Sequence, residues 1–115
     1  MNEKLSLKNR ESVVAAIKNR NDFVASKMKG VAVQGHFTSI HDYRNYVGNI
    51  TAGALIGPMR VEFEANKPNL VYVVYSYDTP IYWVYRNGDE VFPNEFYTET
   101  TKRHQEIVEE YWNEQ

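Results

Sequence analysis

Apolar residues early in the chain recur at helical spacing. Val13, Val14, Ile17, Val24 and Met28 fall three, four and seven positions apart, which predicts a helical segment over residues 6–29 with one apolar stripe. Ser6 is a candidate N-cap, Gly30 stands where a left-handed C-terminal residue belongs, and Lys27 and Lys29 suit the negative end of the helix dipole. Asn19-Arg20-Asn21-Asp22 interrupts the stripe, and Asp22 is a candidate cap for a second helix, so one long helix and two short ones both stay open.

From residue 31 the period changes to two. Val31, Val33, Gly35 and Phe37 alternate with Ala32, Gln34, His36 and Thr38, and Val61, Phe63 and Ala65 alternate with Arg60, Glu62 and Glu64, the pattern of strands with one wet and one buried face. Asn66-Lys67-Pro68-Asn69 reads as a turn. Leu70–Tyr77 and Ile81–Arg86 are β-branched and aromatic runs separated by Asp78-Thr79-Pro80. Asn87-Gly88 is a strong hairpin signal leading into Glu90-Val91-Phe92, and Pro93 stops that strand. Residues 100–114 return to helical spacing, with His104, Ile107, Val108 and Tyr111 on one face, Thr98 or Thr100 as cap and Glu99 near the positive end. Between Thr38 and Met59 the pattern is weak, with a turn or short helix at Asp42–Tyr46. The order helix, sheet, helix predicts an α+β fold in a single domain over residues 1–115. An antiparallel meander of four to five strands within residues 31–98 carries both helices on one face.

Composition narrows the class. The longest uninterrupted apolar run, Leu70–Tyr75, is six residues, far short of the ~20 that cross a bilayer. The first residues hold no apolar stretch of the kind a secretory signal requires, so the expected compartment is the cytoplasm. With no cysteine there is neither a disulfide framework nor a thiolate metal site. The net charge of −2 argues against a strongly basic nucleic-acid binder, yet residues 1–30 carry +4 and the remainder −6, with eight acids against two bases in residues 89–115. Such polarity can orient a molecule toward a charged partner, although solvated helix faces account for it as well.

Catalytic signatures are missing. Gly48, Gly53 and Gly57 are spread too widely for a phosphate-cradling loop, and neither Ser39 nor Ser76 has the flanking glycines of a nucleophile elbow. Ser76, His104 and Asp78 form a nominal triad that spacing alone does not support. His36, His41 and Asp42 match no standard metal-ligand pattern, so no metal or other cofactor is expected. Aromatics stand out instead: 14% of the chain, with Tyr72, Tyr75, Tyr77, Tyr82, Trp83, Tyr85 and Phe92 clustered on the last strands. Side-chain alternation puts Tyr75, Tyr77, Trp83 and Tyr85 on one face and Tyr72 and Tyr82 on the other, and which face is buried stays open. Cross-strand packing accounts for such a cluster, and so does a protein-facing patch of Tyr75, Tyr77, Trp83 and Tyr85 flanked by Asp89, Glu90, Glu95 and Glu99.

Two motifs carry a resemblance. Ser76-Tyr77-Asp78-Thr79-Pro80-Ile81, followed by Tyr97-Thr98-Glu99-Thr100-Thr101-Lys102-Arg103-His104, resembles a family of small uncharacterised bacteriophage and mobile-element proteins over residues 49–112. That family has a Ser-Tyr-x-Thr-Pro-Ile turn and a Tyr-Ser-x-Thr-Thr-x-x-His helix start; Thr98 replaces the serine here and keeps the hydroxyl. The resemblance implies a phage or mobile-element origin and work in the bacterial cytoplasm. Physically, Ser76, Thr79, Thr100 and His104 are suited to a polar junction that satisfies backbone groups where the hairpin bends and the helix starts. The expected function is a non-enzymatic accessory protein that binds and inhibits or modifies a host protein or ribonucleoprotein complex, an anti-CRISPR or other anti-defence inhibitor being one form. The alternatives are a nucleic-acid-binding module, with the basic N-terminal helix on phosphates and sheet aromatics on bases, and an enzyme or ligand-binding site around Ser76, Thr100 and His104. An exposed strand edge or the N-terminal helix would also serve a homodimer.

Overall fold

In the computed structural model, which describes residues 3–5, 10–33, 50–93 and 99–114, the first helix is shorter than its stripe predicts. Helix α1 spans Arg10–Lys18 and buries Val13, Val14, Ala16 and Ile17. It ends where the polar Asn19–Asp22 run begins. Arg20 takes a left-handed conformation (φ 53°), its N–H donates to the Ile17 carbonyl at 3.0 Å, and the Asn21 N–H donates to Ala16 at 2.8 Å. This paired closure is the one usually built on glycine. Arg20 therefore does what the sequence pattern assigned to Gly30.

The remainder of that segment, Val24 and Met28 included, is extended. Strands β2 (Phe23–Ala25) and β3 (Met28–Ala32) form a hairpin around Ser26-Lys27, with Ser26 left-handed at φ 57°. Lys27 and Lys29 thus lie on the hairpin and not at a helix end. Asp22 caps no helix: its Oδ1 accepts the Ala32 N–H at 2.6 Å and closes the hairpin's open end. Gly30 pairs across from Phe23, and a Cβ there would collide with the Phe23 ring and the Tyr72 hydroxyl. The glycine is needed for close approach, not for a positive φ.

A second correction concerns residues 60–65, whose two-residue alternation predicted a strand. They belong to helix α2 (Gly57–Asn66), with left-handed Gly57 at its start and Pro58 in its first turn, where a missing N–H costs nothing. Phe63 is its buried residue, its ring edge-on to Trp83 at 4.9 Å. One anchoring aromatic outweighs the alternation of exposed Val61 and Ala65 with charged neighbours. A short 3-10 turn at Lys67–Asn69, where a turn was expected, leads into the sheet.

Strands β4 (Leu70–Ser76), β5 (Thr79–Tyr85) and β6 (Glu90–Val91) complete an antiparallel meander with β2 and β3, and the Asn87-Gly88 hairpin is where the sequence put it. Strand β1 (Glu3–Leu5) adds to β2 in parallel, giving the order β1-β2-β3-β4-β5-β6. Helix α3 (Glu99–Asn113) lies beside α1. The fold is α+β, as its pattern predicts, with α1 and α3 sharing one core on one face of the sheet. The opposite face is covered too, by α2 and the 50–55 segment.

Two cores result. Val13, Ile17, Phe23, Tyr72, Tyr82, Ile107 and Val108 meet on the α1/α3 side. Leu55, Phe63, Leu70, Val73, Tyr75 and Trp83 meet on the α2 side. Tyr72, Tyr82 and Trp83 have no exposed surface, and burying ~150–250 Å² of each contributes roughly 4–6 kcal/mol as an upper bound. Against that, Arg10 reaches Glu106 at 3.9 Å and Glu110 at 3.7 Å, exposed pairs worth at most about 1 kcal/mol. These contacts nonetheless show that Arg10 of α1 faces two of the acids of α3 within the molecule.

Some expectations fall outside the described residues: Ser6 as a cap, the strand beyond Val33, the Asp42–Tyr46 turn, the histidines His36 and His41, Glu95, Thr98, and the side chains of Glu99 and Thr100. Among the described residues no helix is long and apolar enough to cross a membrane.

The tight fit at Gly30 gives a stability test. Gly30→Ala should destabilise the domain by about 1–3 kcal/mol in urea unfolding, because the Phe23 ring and the Tyr72 hydroxyl must both move.

Candidate functional site

Leu70–Ser76 and Thr79–Tyr85 are joined by only two residues, Tyr77 and Asp78. Tyr77 adopts φ 57°, the left-handed state such a tight hairpin requires, and its N–H donates to the Lys27 carbonyl at 2.7 Å. That bond ties the β4–β5 turn to the β2–β3 turn. On the other flank, Thr79 Oγ1 accepts the Ala54 N–H at 2.9 Å. Gly53, left-handed at φ 51°, lies so close to Asp78 and Thr79 that a Cβ would strike their backbone.

The third attachment is to α3. Ser76 is 1% exposed and His104 0% exposed, with Ser76 Oγ 2.6 Å from His104 Nδ1 and 3.0 Å from Thr101 Oγ1. With the Ser76 hydroxyl donating to Thr101, His104 Nδ1 carries the ring proton and donates to Ser76, leaving Nε2 as a bare acceptor. Among the described residues Nε2 has no hydrogen-bond partner. Burial alone holds the imidazole below its ordinary pKa, because a cation there has no compensating charge. Ser76, Thr79 and His104 thus meet at one turn, where the two sequence motifs converge. Thr101 is the hydroxyl that the sequence reading missed. It stands three residues before His104 on α3.

A serine oxygen on an imidazole nitrogen is the beginning of nucleophilic chemistry, and here it ends there. Neither group reaches solvent, no described residue bonds Nε2 to orient the ring, and Asp78 is exposed in the turn. The arrangement is built to hold elements together.

The residues expected to form one partner-binding patch are dispersed. Tyr75 and Trp83 are 5% and 0% exposed in the α2-side core, so no partner reaches them. Tyr77 is half-exposed at one end of β5 and Tyr85 half-buried at the other, roughly 20 Å apart along the strand. Glu90 is committed inside the molecule: its Oε1 accepts from the Tyr82 hydroxyl and, at 2.5 Å, from Tyr111, pinning β6 to β5 and α3. Burial, together with the Glu90 carboxylate, pushes both phenols well above the ordinary tyrosine pKa. Asp89 is exposed and lines an open polar cleft of about 520 Å³ with Glu62, Asn66, Asn69, Tyr85, Arg86 and Asn87. Much of that lining is self-satisfied, since Asn87 Nδ2 donates to Asp89 Oδ2 at 3.1 Å and the Asp89 N–H to Asn87 Oδ1 at 2.9 Å.

The surface feature that the sequence pattern misassigned is the outer side of α2. Pro58, Val61 and Ala65 fall three and four residues apart on one exposed stripe, with Ile56 exposed just ahead of the helix. Ile56 and Val61 are each 69% exposed. Reading residues 60–65 as a strand hid this, because it placed Val61 and Phe63 on the same buried face.

Compared with family models, residues 7–113 match a family of unknown function, DUF8033. The chain belongs to DUF8033. The matched region takes in all three helices and strands β2–β6. No curated protein and no solved structure matches the chain.

The junction makes two measurable demands. Ser76→Ala should cost about 1–3 kcal/mol in chemical unfolding, because it strips the buried imidazole of its remaining partner. Because the folded-state pKa of His104 is depressed, the unfolded chain binds its proton first. Stability should therefore be full above about pH 6.5 and fall as the pH drops below it. Urea midpoints measured across that range should show this slope in the native chain and lose it in His104→Asn.

Proposed function

We propose that this DUF8033 protein is a non-enzymatic accessory protein that binds and inhibits or modifies a host protein system. Its origin in a phage or mobile element, and its work in the bacterial cytoplasm, rest on the resemblance carried by Ser76–Ile81 and Tyr97–His104. An anti-CRISPR or other anti-defence inhibitor is one concrete form. The observation that carries the reading is the outer face of α2, where Ile56 and Val61 are both 69% exposed on a helix held down by Phe63. Apolar groups grouped on an otherwise polar surface are the kind of feature a protein partner covers. The mechanism is steric occlusion of the target, with α2 in the contact and not the β5 aromatics.

A nucleic-acid role has less support. The bases would need aromatics that lie in the cores, and Arg10 is turned toward Glu106 and Glu110.

Affinity capture of tagged protein from host lysate, with and without nuclease, tests the assignment. The expected result is a stoichiometric protein that survives nuclease and is lost with an Ile56→Asp/Val61→Asp variant whose unfolding midpoint is unchanged. Recovery of nucleic acid alone, or capture unaffected by the variant, overturns it.

A further inference from the structure

The β4–β5 turn is fastened to three other parts of the fold, and one of its three fastenings runs through an ionisable group. Ser76 joins it to α3 through His104 and Thr101. Tyr77 joins it to the β2–β3 turn through the Lys27 carbonyl. Thr79 joins it to the segment leading into α2 through the Ala54 N–H, with Gly53 fitted flush against Asp78 and Thr79.

We propose that His104 is the trigger of a proton-driven switch: a second proton on its sealed ring releases the β4–β5 turn from α3 and, through Thr79, loosens the Ala54–Ile56 segment that sets the position of α2. Nε2 is the atom that takes the proton. It is fully buried and has no partner among the described residues, and none of those residues would accept from the new N–H or balance the new charge. The ionisable groups on the surrounding elements are Tyr77 and Asp78 in the turn, Lys27 on the β2–β3 turn, and Lys102, Arg103 and Glu106 on α3. All of them are exposed. None contributes to the depressed pKa of the ring, which comes from burial. The Tyr77 ring, tilted 46° with its centroid 6.3 Å away, is its aromatic neighbour among the described residues. Moving the turn is therefore the route by which a charged His104 regains water. The consequence for partner binding rests on the reading of α2 given above; the proton coupling does not.

Amide hydrogen exchange by NMR, read beside the His104 ring signals, tests the switch on the whole chain. His104 should titrate in a window below the ordinary histidine pKa of about 6.5, because burial disfavours its charged form. Over that window the protection of the Ala54 and Tyr77 amides, corrected for intrinsic exchange, should fall up to about tenfold per pH unit. The Arg86 amide, bonded to the Asn69 carbonyl at the far end of the sheet, should hold its protection. In His104→Asn, which keeps a donor for Ser76 but cannot be protonated, the Ala54 response should be flat. An unchanged Ala54 slope in that variant overturns the switch, as does His104 titration without change at Ala54, or a His104 midpoint that is not below the ordinary histidine value. If the variant does not fold, coincidence of the two midpoints in the native chain decides. Partner capture at about pH 7.5, where His104 is neutral, is independent of all three outcomes.

Discussion

Tyr82 and Trp83 are neighbours in sequence and lie in different hydrophobic cores. The strand pleat turns successive side chains to opposite faces, so a strand bearing two large aromatics in a row is stable only if both faces are covered. The architecture answers that demand. Helices α1 and α3 cover the Tyr72/Tyr82 side, while α2 and the 50–55 segment cover the Tyr75/Trp83 side. Tyr72, Tyr75, Tyr82 and Trp83 are thereby consumed as core, while Tyr77 stays half-exposed at a hairpin end.

Closing a sheet between two layers leaves a difficulty at the hairpin ends, where backbone groups and turn residues lie next to helix termini. At the β4–β5 turn the solution is polar and buried: Ser76, Thr79, Thr101 and His104 are all at most 6% exposed. A buried polar atom that is bonded contributes modestly, and one left unbonded costs about 1–3 kcal/mol, so such a cluster gives position more than strength. His104 Nε2 is the part of that cluster left unbonded among the described residues. Stability concentrated in the two cores makes that cost tolerable, and the same orphaned nitrogen makes the junction sensitive to protons.

Charge plays a similar internal role. The chain's basic N-terminal portion and acidic C-terminal helix look like a dipole aimed at a partner when read along the sequence. In the fold, Arg10 of α1 faces Glu106 and Glu110 of α3. Part of the polarity therefore organises the α1/α3 layer, although exposed pairs of this kind add little energy. The apolar outer face of α2, the surface we propose for recognition, lies where no charge pattern pointed.

By itself the sequence determined the α+β class, the last three strands with their Asn87-Gly88 hairpin, the C-terminal helix, and the division of Tyr72 and Tyr82 from Tyr75 and Trp83. These rest on local signals: turn chemistry, a period of two in a long β-branched run, and a helical stripe long enough to be unambiguous. Tertiary structure alone decided the rest. Val24 and Met28 fit a helical stripe, yet they pair in a hairpin because Gly30 lets the Phe23 ring and Tyr72 approach. Val61, Phe63 and Ala65 alternate like a strand, yet they lie on a helix because Phe63 packs on Trp83 and nothing covers Val61. Over five residues the two periods are nearly indistinguishable, and the choice falls to whichever packing partner is available. The uninterrupted apolar run Leu70–Tyr75 is the local trace of that outcome, since only a strand covered on both faces has no polar positions to spare.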